Sequence, residues 1–182
     1  MKTQSTALYV LKLALTLLII TAVVAAALGG VNSITAPIIE QINAEKTQEA
    51  IAAVLPGGGE ALDSFQDDTG LVRKVYASDI GYAIEVAPSG FGGDIVMMVG
   101  IIDGKVSGIS IISQTETAGL GAVAAAKTSA GEKFRNEFVG LSGQLSVDKD
   151  GGTIDAIASA TITSRAVTEG VNAALKCAEK LG

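Results

Sequence analysis

The 182-residue chain has no histidine, no tryptophan, one cysteine and three prolines. Each shortage removes chemistry. Without histidine there is no Ser-His-Asp or Cys-His catalysis, no histidine metal site and no histidine-ligated haem. The lone Cys177 allows no internal disulfide and no self-contained iron–sulfur cluster. Its place near the apolar stripe of the last helix suits a small buried hydrophobe. Basic residues are outnumbered, 13 Lys and Arg against 19 Asp and Glu, for a net charge of −6. No basic run goes beyond pairs such as Arg73-Lys74, so nucleic acid is not an expected partner. A chain with so few catalytic groups either binds something or borrows its chemistry from a bound group.

What the chain does have is apolar residues, at 48%, and 22 glycines, above the usual glycine share of about 7%. Ala7 to Val31 is apolar apart from Lys12 and a few Thr, Tyr and Gly residues, and a bilayer-spanning helix needs about 20 such residues. Lys12 can snorkel to the head groups, and Tyr9 sits where interfacial aromatics sit. Lys2 and Lys12 precede or open the span, while the next charges are Glu40 and Glu45. The positive-inside rule then places the start of the chain in the cytoplasm and the rest outside, as a single-pass protein of the cell (inner) membrane. A second reading stays open, because Ala25-Ala26-Ala27 also resembles a signal-peptidase site, which would make Leu28 the mature N-terminus. Both readings export the remainder. The expected organisation is a cytoplasmic start and anchor over 1–31, a connecting helix and linker over 32–59, and one domain over 60–182.

Thr35-Ala36-Pro37 reads as an N-cap followed by proline in a first turn. The helix it opens carries Ile38, Ile42, Ile51 and Leu55, and Pro56-Gly57-Gly58-Gly59 ends it. From Leu71 the period changes to two. Leu71 to Ala77, Tyr82 to Val86, Ile95 to Ile102 and Val106 to Ser113 read as strands, with Asp103-Gly104 the strongest hairpin signal. Ile109 and Ile111 face one way and Ile112 the other. Ala122 to Phe138 is expected to be partly helical, with Phe134 and Phe138 one turn apart. Leu145–Val147 and Thr153–Ile157 frame Lys149-Asp150-Gly151-Gly152 as a second hairpin. Val167, Val171, Ala174, Leu175 and Ala178 recur at helical spacing, which predicts a helix over about 165–181. The fold class expected is α+β: a twisted antiparallel sheet flanked by helices, behind one transmembrane helix.

Between Asp155 and Val167, hydroxyl and acid side chains crowd a strand-to-helix transition. Thr161, Thr163 and Ser164 sit where N-caps sit. A helix start also offers unpaired N–H groups and a positive dipole end that suit a phosphate. The hydroxyls therefore either satisfy backbone groups alone or face a bound anion. A second landmark is Thr115-Glu116-Thr117-Ala118-Gly119-Leu120-Gly121, whose glycines permit positive φ and close approach by a planar ring.

These stretches resemble a known family. Asp155, two residues, then Ala158-Ser159-Ala160-Thr161 resembles the attachment motif of proteins that carry covalent FMN on a threonine. Asp155, Ala160 and Thr161 match in register, while Ala158 and Ser159 stand where Ser/Thr and Gly are usual. Thr163-Ser164 and Ala166-Val167 also look like the family. Glu116 to Gly121 resembles its Glu-Thr-Pro-Gly-Leu-Gly segment, with Ala118 in place of Pro. Pro88 to Gly93, followed by an apolar strand and Asp103-Gly104-Lys105-Val106, is similar too. Taken in order over nearly the whole chain, the matches resemble the G-subunit family of Rnf ion-translocating electron transport complexes.

The resemblance implies a covalent FMN on Thr161, attached through its phosphate by a flavin transferase. It implies Asp155, Ser159, Ala160, Thr163 and Ser164 around the attachment, and Glu116, Thr117, Gly119, Leu120 and Gly121 against the ring. The implied partners are the membrane and the other membrane subunits of a complex coupling ferredoxin–NAD electron transfer to Na⁺ or H⁺ movement. Two other functions stay open: an anchored FMN protein of another extracytoplasmic electron route, and a non-redox assembly module of the same fold. A Ser or Thr hydrolase is disfavoured, since no base stands by to activate the nucleophile.

Overall fold

A computed structural model describes residues 3–182, with side chains from Leu8 onward. The chain divides into two compact units between Ala44 and Glu45. The first unit is helix. Helix α1 runs over Thr3–Val54, so its last turns belong to the second unit. Among the described residues it is long and apolar enough to cross a membrane, and it fits a single-pass anchor.

The helix does not restart at Thr35, contrary to expectation. It passes through Pro37, and Thr35 Oγ1 donates back to Val31 O at 3.0 Å. Ser33 Oγ does the same to Gly29 O at 2.9 Å. A hydroxyl bonded to the carbonyl four residues back is satisfied inside a helix, so Thr-x-Pro did not have to mark a start.

The second unit is α+β. Strands β1 (Glu60–Ala61), β2 (Val72–Ser78), β3 (Gly81–Val86), β4 (Val96–Ile102) and β5 (Lys105–Ser113) form one sheet in sequence order. Every neighbouring pair is antiparallel. The two-residue β1 was not legible in the sequence. Between β4 and β5 Asp103 and Gly104 have φ of 52° and 70°, the two positive values that a tight Asp-Gly hairpin needs.

Strand alternation gives the sheet two different faces. Val75, Ile84, Val99 and Ile109 are cross-strand neighbours and belong to the larger core. Helix α3, Thr161–Leu181, covers that face with Val167, Val171, Ala174, Leu175 and Ala178, all buried as their spacing predicted. Helix α2, Ser129–Asn136, adds Phe134, whose ring meets Phe138 edge-on at 5.4 Å. Cys177 is buried in the same core, and burial pushes its thiol pKa up.

The opposite face carries Tyr76, Ala83, Gly100 and Gly108 in one row. There the last turns of α1 supply Ala50, Ile51 and Val54, and the residue just after it Leu55, to a smaller cluster with Met98 and Ile112. A Cβ on Gly100 would overlap Val54 O, so the bare strand is what admits the helix end. Ser107 Oγ donates to the same carbonyl at 2.5 Å. Ile109 and Ile111 thus lie on one side and Ile112 on the other, as read.

The second hairpin is a correction. Val147 and Ile154 form an isolated bridge that is parallel, not antiparallel, and no strand spans either segment. A 3₁₀ turn at Asp148–Asp150 and Gly151 at φ 80° carry the chain round, and Asp148 N then bonds Ile154 O at 2.7 Å. A turn signal shows where the chain reverses but not whether it reverses twice.

Candidate functional site

Three loops meet at the start of α3. The first, between β3 and β4, turns tightly through Gly90 N–H donating to Gly93 O at 2.8 Å. Its base is braced by Ser89 Oγ and Arg73, each 3.1 Å from an oxygen of Asp94. Phe91 stands at its tip, 69% exposed.

The second loop follows β5. Thr115 Oγ1 donates to Gly92 O at 2.9 Å, joining the two loops. Leu120 N and Ala122 N both bond Thr117 O, which winds the chain into a 3₁₀ turn over Gly121–Ala125. Arg135 of α2 supports this turn by donating to Ala124 O and Ala126 O. Burial lowers the pKa of that guanidinium from its usual value.

The third loop leads into α3. Asp155 N–H donates to Glu137 Oε2 at 2.7 Å, and Ala156 N–H to Asp148 Oδ1 at 3.0 Å. Ser164 Oγ reaches back, accepting Ile157 N–H at 2.9 Å and donating to Ala160 O at 3.0 Å. This holds the turn at 157–160 from inside. Ser159 sits in that turn at φ 61°, a left-handed conformation that costs an ordinary residue about 1–2 kcal/mol. The glycine usual at that position in the motif this stretch resembles would adopt that conformation without strain.

Helix α3 starts at Thr161, four residues earlier than its apolar spacing suggested, and no side chain caps it at Ala160. Thr163 and Ser164 therefore lie inside the first turn, on its buried side, and neither is an N-cap. Thr163 Oγ1 donates instead to Glu116 Oε2 at 2.6 Å. The N–H groups of residues 161–163 precede the first bond of the helix ladder, Ser164 N–H to Ala160 O at 3.0 Å, and keep no intrahelical acceptor.

Between these segments lies a cavity of about 360 Å³ lined by Phe91, Glu116, Thr117, Leu120, Gly121 and residues 159–163. Of the residues singled out in the sequence, Glu116, Thr117, Leu120, Gly121, Ser159, Ala160, Thr161 and Thr163 come together here. Three do not line it. Ser164 lies beneath the turn, fully buried. Gly119 is at the outer bend, with open space around its α-carbon and φ of 76°. Asp155 turns away to pair with Lys133 at 3.2 Å, both side chains 69% exposed, and that pairing raises the lysine's pKa. Phe91 and Ile162 were not singled out. Phe91 is a lone aromatic in a glycine-rich run, which was a usable signal; Ile162, between two threonines, offered none.

Chemically, the cavity joins exposed apolar side chains, Phe91, Leu120 and Ile162, to hydroxyls and an uncapped helix start. Such a surface suits a group with a flat apolar part and an anionic part. A separate, more polar groove of similar size near Asp150 and Arg165 contains none of these lining residues.

Comparison with known proteins agrees with the class this geometry defines. The FMN-binding domain family matches residues 90–176, a span that holds the whole cavity lining. The G subunit of a Na⁺-translocating ferredoxin:NAD⁺ oxidoreductase complex from Acetobacterium woodii is 33% identical, over 94% of this chain and 93% of that protein. The G subunit of an ion-translocating oxidoreductase complex from Methanosarcina acetivorans is 30% identical, over 90% and 92%. The G subunit of a proton-translocating ferredoxin:NAD⁺ oxidoreductase complex from Clostridium ljungdahlii is 40% identical over 53% of this chain and 52% of its own length. The chain belongs to the G-subunit family of Rnf-type ion-translocating oxidoreductase complexes.

Proposed function

We propose that this chain is a membrane-anchored electron-carrier subunit of an Rnf-type complex, with FMN joined through its phosphate to Thr161 Oγ1. The observation that carries the attachment site is the fate of the four hydroxyls around the motif. Thr163 and Ser164 are buried and hydrogen-bonded inward, so neither can meet a transferase. Ser159 and Thr161 remain open on the cavity wall. Of these, Thr161 is the first residue of α3, where an attached phosphate lies beside unpaired N–H groups. It is also the residue in register with the acceptor of the family motif.

The lining fits this cofactor. Phe91, Leu120 and Ile162 supply apolar contact for a planar ring, and Gly121 presents backbone without a side chain. FMN would supply the electron transfer. The protein's part is to hold the ring, shield it from water and tie it to the membrane. The anchor keeps the carrier at high effective concentration beside its partners, expected to be other membrane subunits of the complex. The lysines before and within the span favour a cytoplasmic start and a domain on the far side. A flavin lost there is hard to replace, which is a physical reason for covalent attachment by a flavin transferase. The coupling ion differs among the named relatives, so either Na⁺ or H⁺ is compatible with this family.

The test is peptide mass spectrometry on chain isolated from membranes, with absorbance read before and after denaturation. A flavin band that survives denaturation and maps to Thr161 is expected. Thr161→Val should carry no covalent flavin while still folding, and Thr163→Val should keep it. FMN on Ser159, or flavin retained by Thr161→Val, would refute the assignment. A chain with no flavin at all would favour a non-redox assembly module.

A further inference from the structure

Glu116 is a buried carboxylate at the cavity wall, 9% exposed. Among the described residues it has no lysine or arginine partner within ion-pair distance. A buried charge without a counterion persists only when hydrogen bonds replace its lost water. Here Oε2 accepts the Thr163 hydroxyl at 2.6 Å and Oε1 accepts the Gly92 N–H at 3.0 Å. These partners lie 47 and 24 residues away in sequence. The backbone of Glu116 is held as well, its N–H donating to Gln114 Oε1 at 2.5 Å.

The surroundings are shaped to this side chain. A Cβ on Gly90 would overlap Glu116 Oε1, and a Cβ on Gly121 would overlap both Glu116 Oε2 and Thr163 Oγ1. Two glycines from two loops thus leave room for one carboxylate. Both of its oxygens are committed to protein groups, and those groups belong to the two other segments of the cavity wall.

We propose that Glu116 is a positioning residue, a clamp that closes the cavity around the group attached at Thr161 without serving as its ligand. The inference rests on the flavin reading above. It gives the glutamate a role that a ring contact would not need. The carboxylate fixes Thr163, hence the first turn of α3, against the glycine loop that carries Phe91. Attachment at Thr161 tethers the cofactor; the clamp decides whether the tethered ring is held.

The decisive comparison is among Glu116→Gln, Glu116→Ala and Thr163→Val in the full-length chain matured with its transferase. Glutamine can still accept from Gly92 N–H through its carbonyl oxygen, while its amide donates to Thr163 Oγ1, which can accept. It should therefore rescue. Flavin per chain is read by mass spectrometry, ring mobility by the anisotropy of flavin fluorescence, and the clamp by hydrogen exchange at the Gly92 amide. Denatured holo-chain provides the reference for a tethered but unheld ring.

Wild type and Glu116→Gln are expected to show high anisotropy and a protected Gly92 amide. Glu116→Ala should keep covalent flavin, with anisotropy falling toward the denatured value and faster Gly92 exchange. Thr163→Val loses only one arm and should lie between, which keeps the test open if the alanine variant does not fold. Wild-type anisotropy in both Glu116→Ala and Thr163→Val would overturn the clamp. Glutamine behaving like alanine would overturn it too, because the charge and not the linkage would then matter. Wild-type chain without flavin would instead overturn the reading on which the proposal rests, and the proposal with it.

Discussion

From residue 8 to residue 46 α1 is exposed at every position, whereas 13 of the 21 residues of α3 are buried. Both helices are rich in Ala, Val and Leu. They differ in how those residues are arranged. In α3 the apolar residues form one stripe that meets the sheet, and polar residues occupy the other side. In α1 leucines, isoleucines and valines point in all directions. A helix apolar all round, with no protein against it, requires a surrounding that is itself apolar. The stability of α3 thus comes from packing, whereas the exposed apolar run of α1 over residues 8–31 calls for an apolar medium.

The sharpest way to break this contrast is to make the same truncation in each helix. Leu175 is 3% exposed and Leu18 is 62% exposed. Leu175→Ala should destabilise the domain by about 2–5 kcal/mol, the usual cost of emptying a core site. Leu18→Ala should change domain stability by no more than about 0.5 kcal/mol. Thermal unfolding of detergent-solubilised chain, followed by near-ultraviolet dichroism, reads both. Equal effects would mean that the Leu18 turn of α1 is packed against protein.

A charge tests the medium directly. Leu18→Arg places a cation within the apolar run, at a cost of about 2.5–3.5 kcal/mol for membrane insertion. The membrane-bound fraction should fall while the unfolding temperature of the domain stays. An unchanged membrane fraction would count against α1 as the anchor. N-terminal sequencing of the membrane-derived chain separates an intact anchor from a cleaved signal, for which the first residue would be Leu28.

A smaller effect is expected at the turn that starts α3. Ser159→Gly removes the left-handed strain at φ 61° and should stabilise the domain by about 1 kcal/mol. It also restores the residue usual in the family motif. A loss of stability would show that the serine hydroxyl contributes more than the strain costs.

The smallest effect belongs to the exposed side of α3. Arg165 Nε and Nη2 donate to the two oxygens of Asp150 at 2.7 and 2.6 Å. That fork holds the Asp150 carboxyl below its usual pKa of 3.8. A depressed folded value adds stability that is fully present above the unfolded pKa and is lost as pH falls through the folded one. The contribution should be slight, because both side chains are about half exposed and surface pairs are screened. An NMR titration of Asp150 should show the low midpoint, and Arg165→Gln should return it to the ordinary carboxylate range.

Much of the domain was legible because its signals are local. Asp103-Gly104 dictates a hairpin through the dihedrals those residues tolerate. Alternation in β3 and β5 sorts side chains between the two faces. Helical spacing identified the buried stripe of α3. The errors lie where a local signal admits more than one partner. Thr35 could cap a helix or bond back within one. Lys149 to Gly152 could close a hairpin or begin a full circuit of the chain. Thr163 and Ser164 could cap α3, hold a phosphate or turn inward.

By itself the sequence determined an apolar first helix and an antiparallel α+β domain, and its motifs carried the resemblance to the G-subunit family. The first two follow from residue type and period, and the resemblance from short motifs in order; none needs knowledge of distant contacts. Tertiary structure alone decided which motif residues face the cavity. Asp155 turns out to Lys133, Ser164 turns under its own loop, and Thr163 is taken by Glu116 from 47 residues away. A polar group bonds to whichever partner the fold brings within about 3 Å, and for a residue in a loop that partner is set by segments far along the chain.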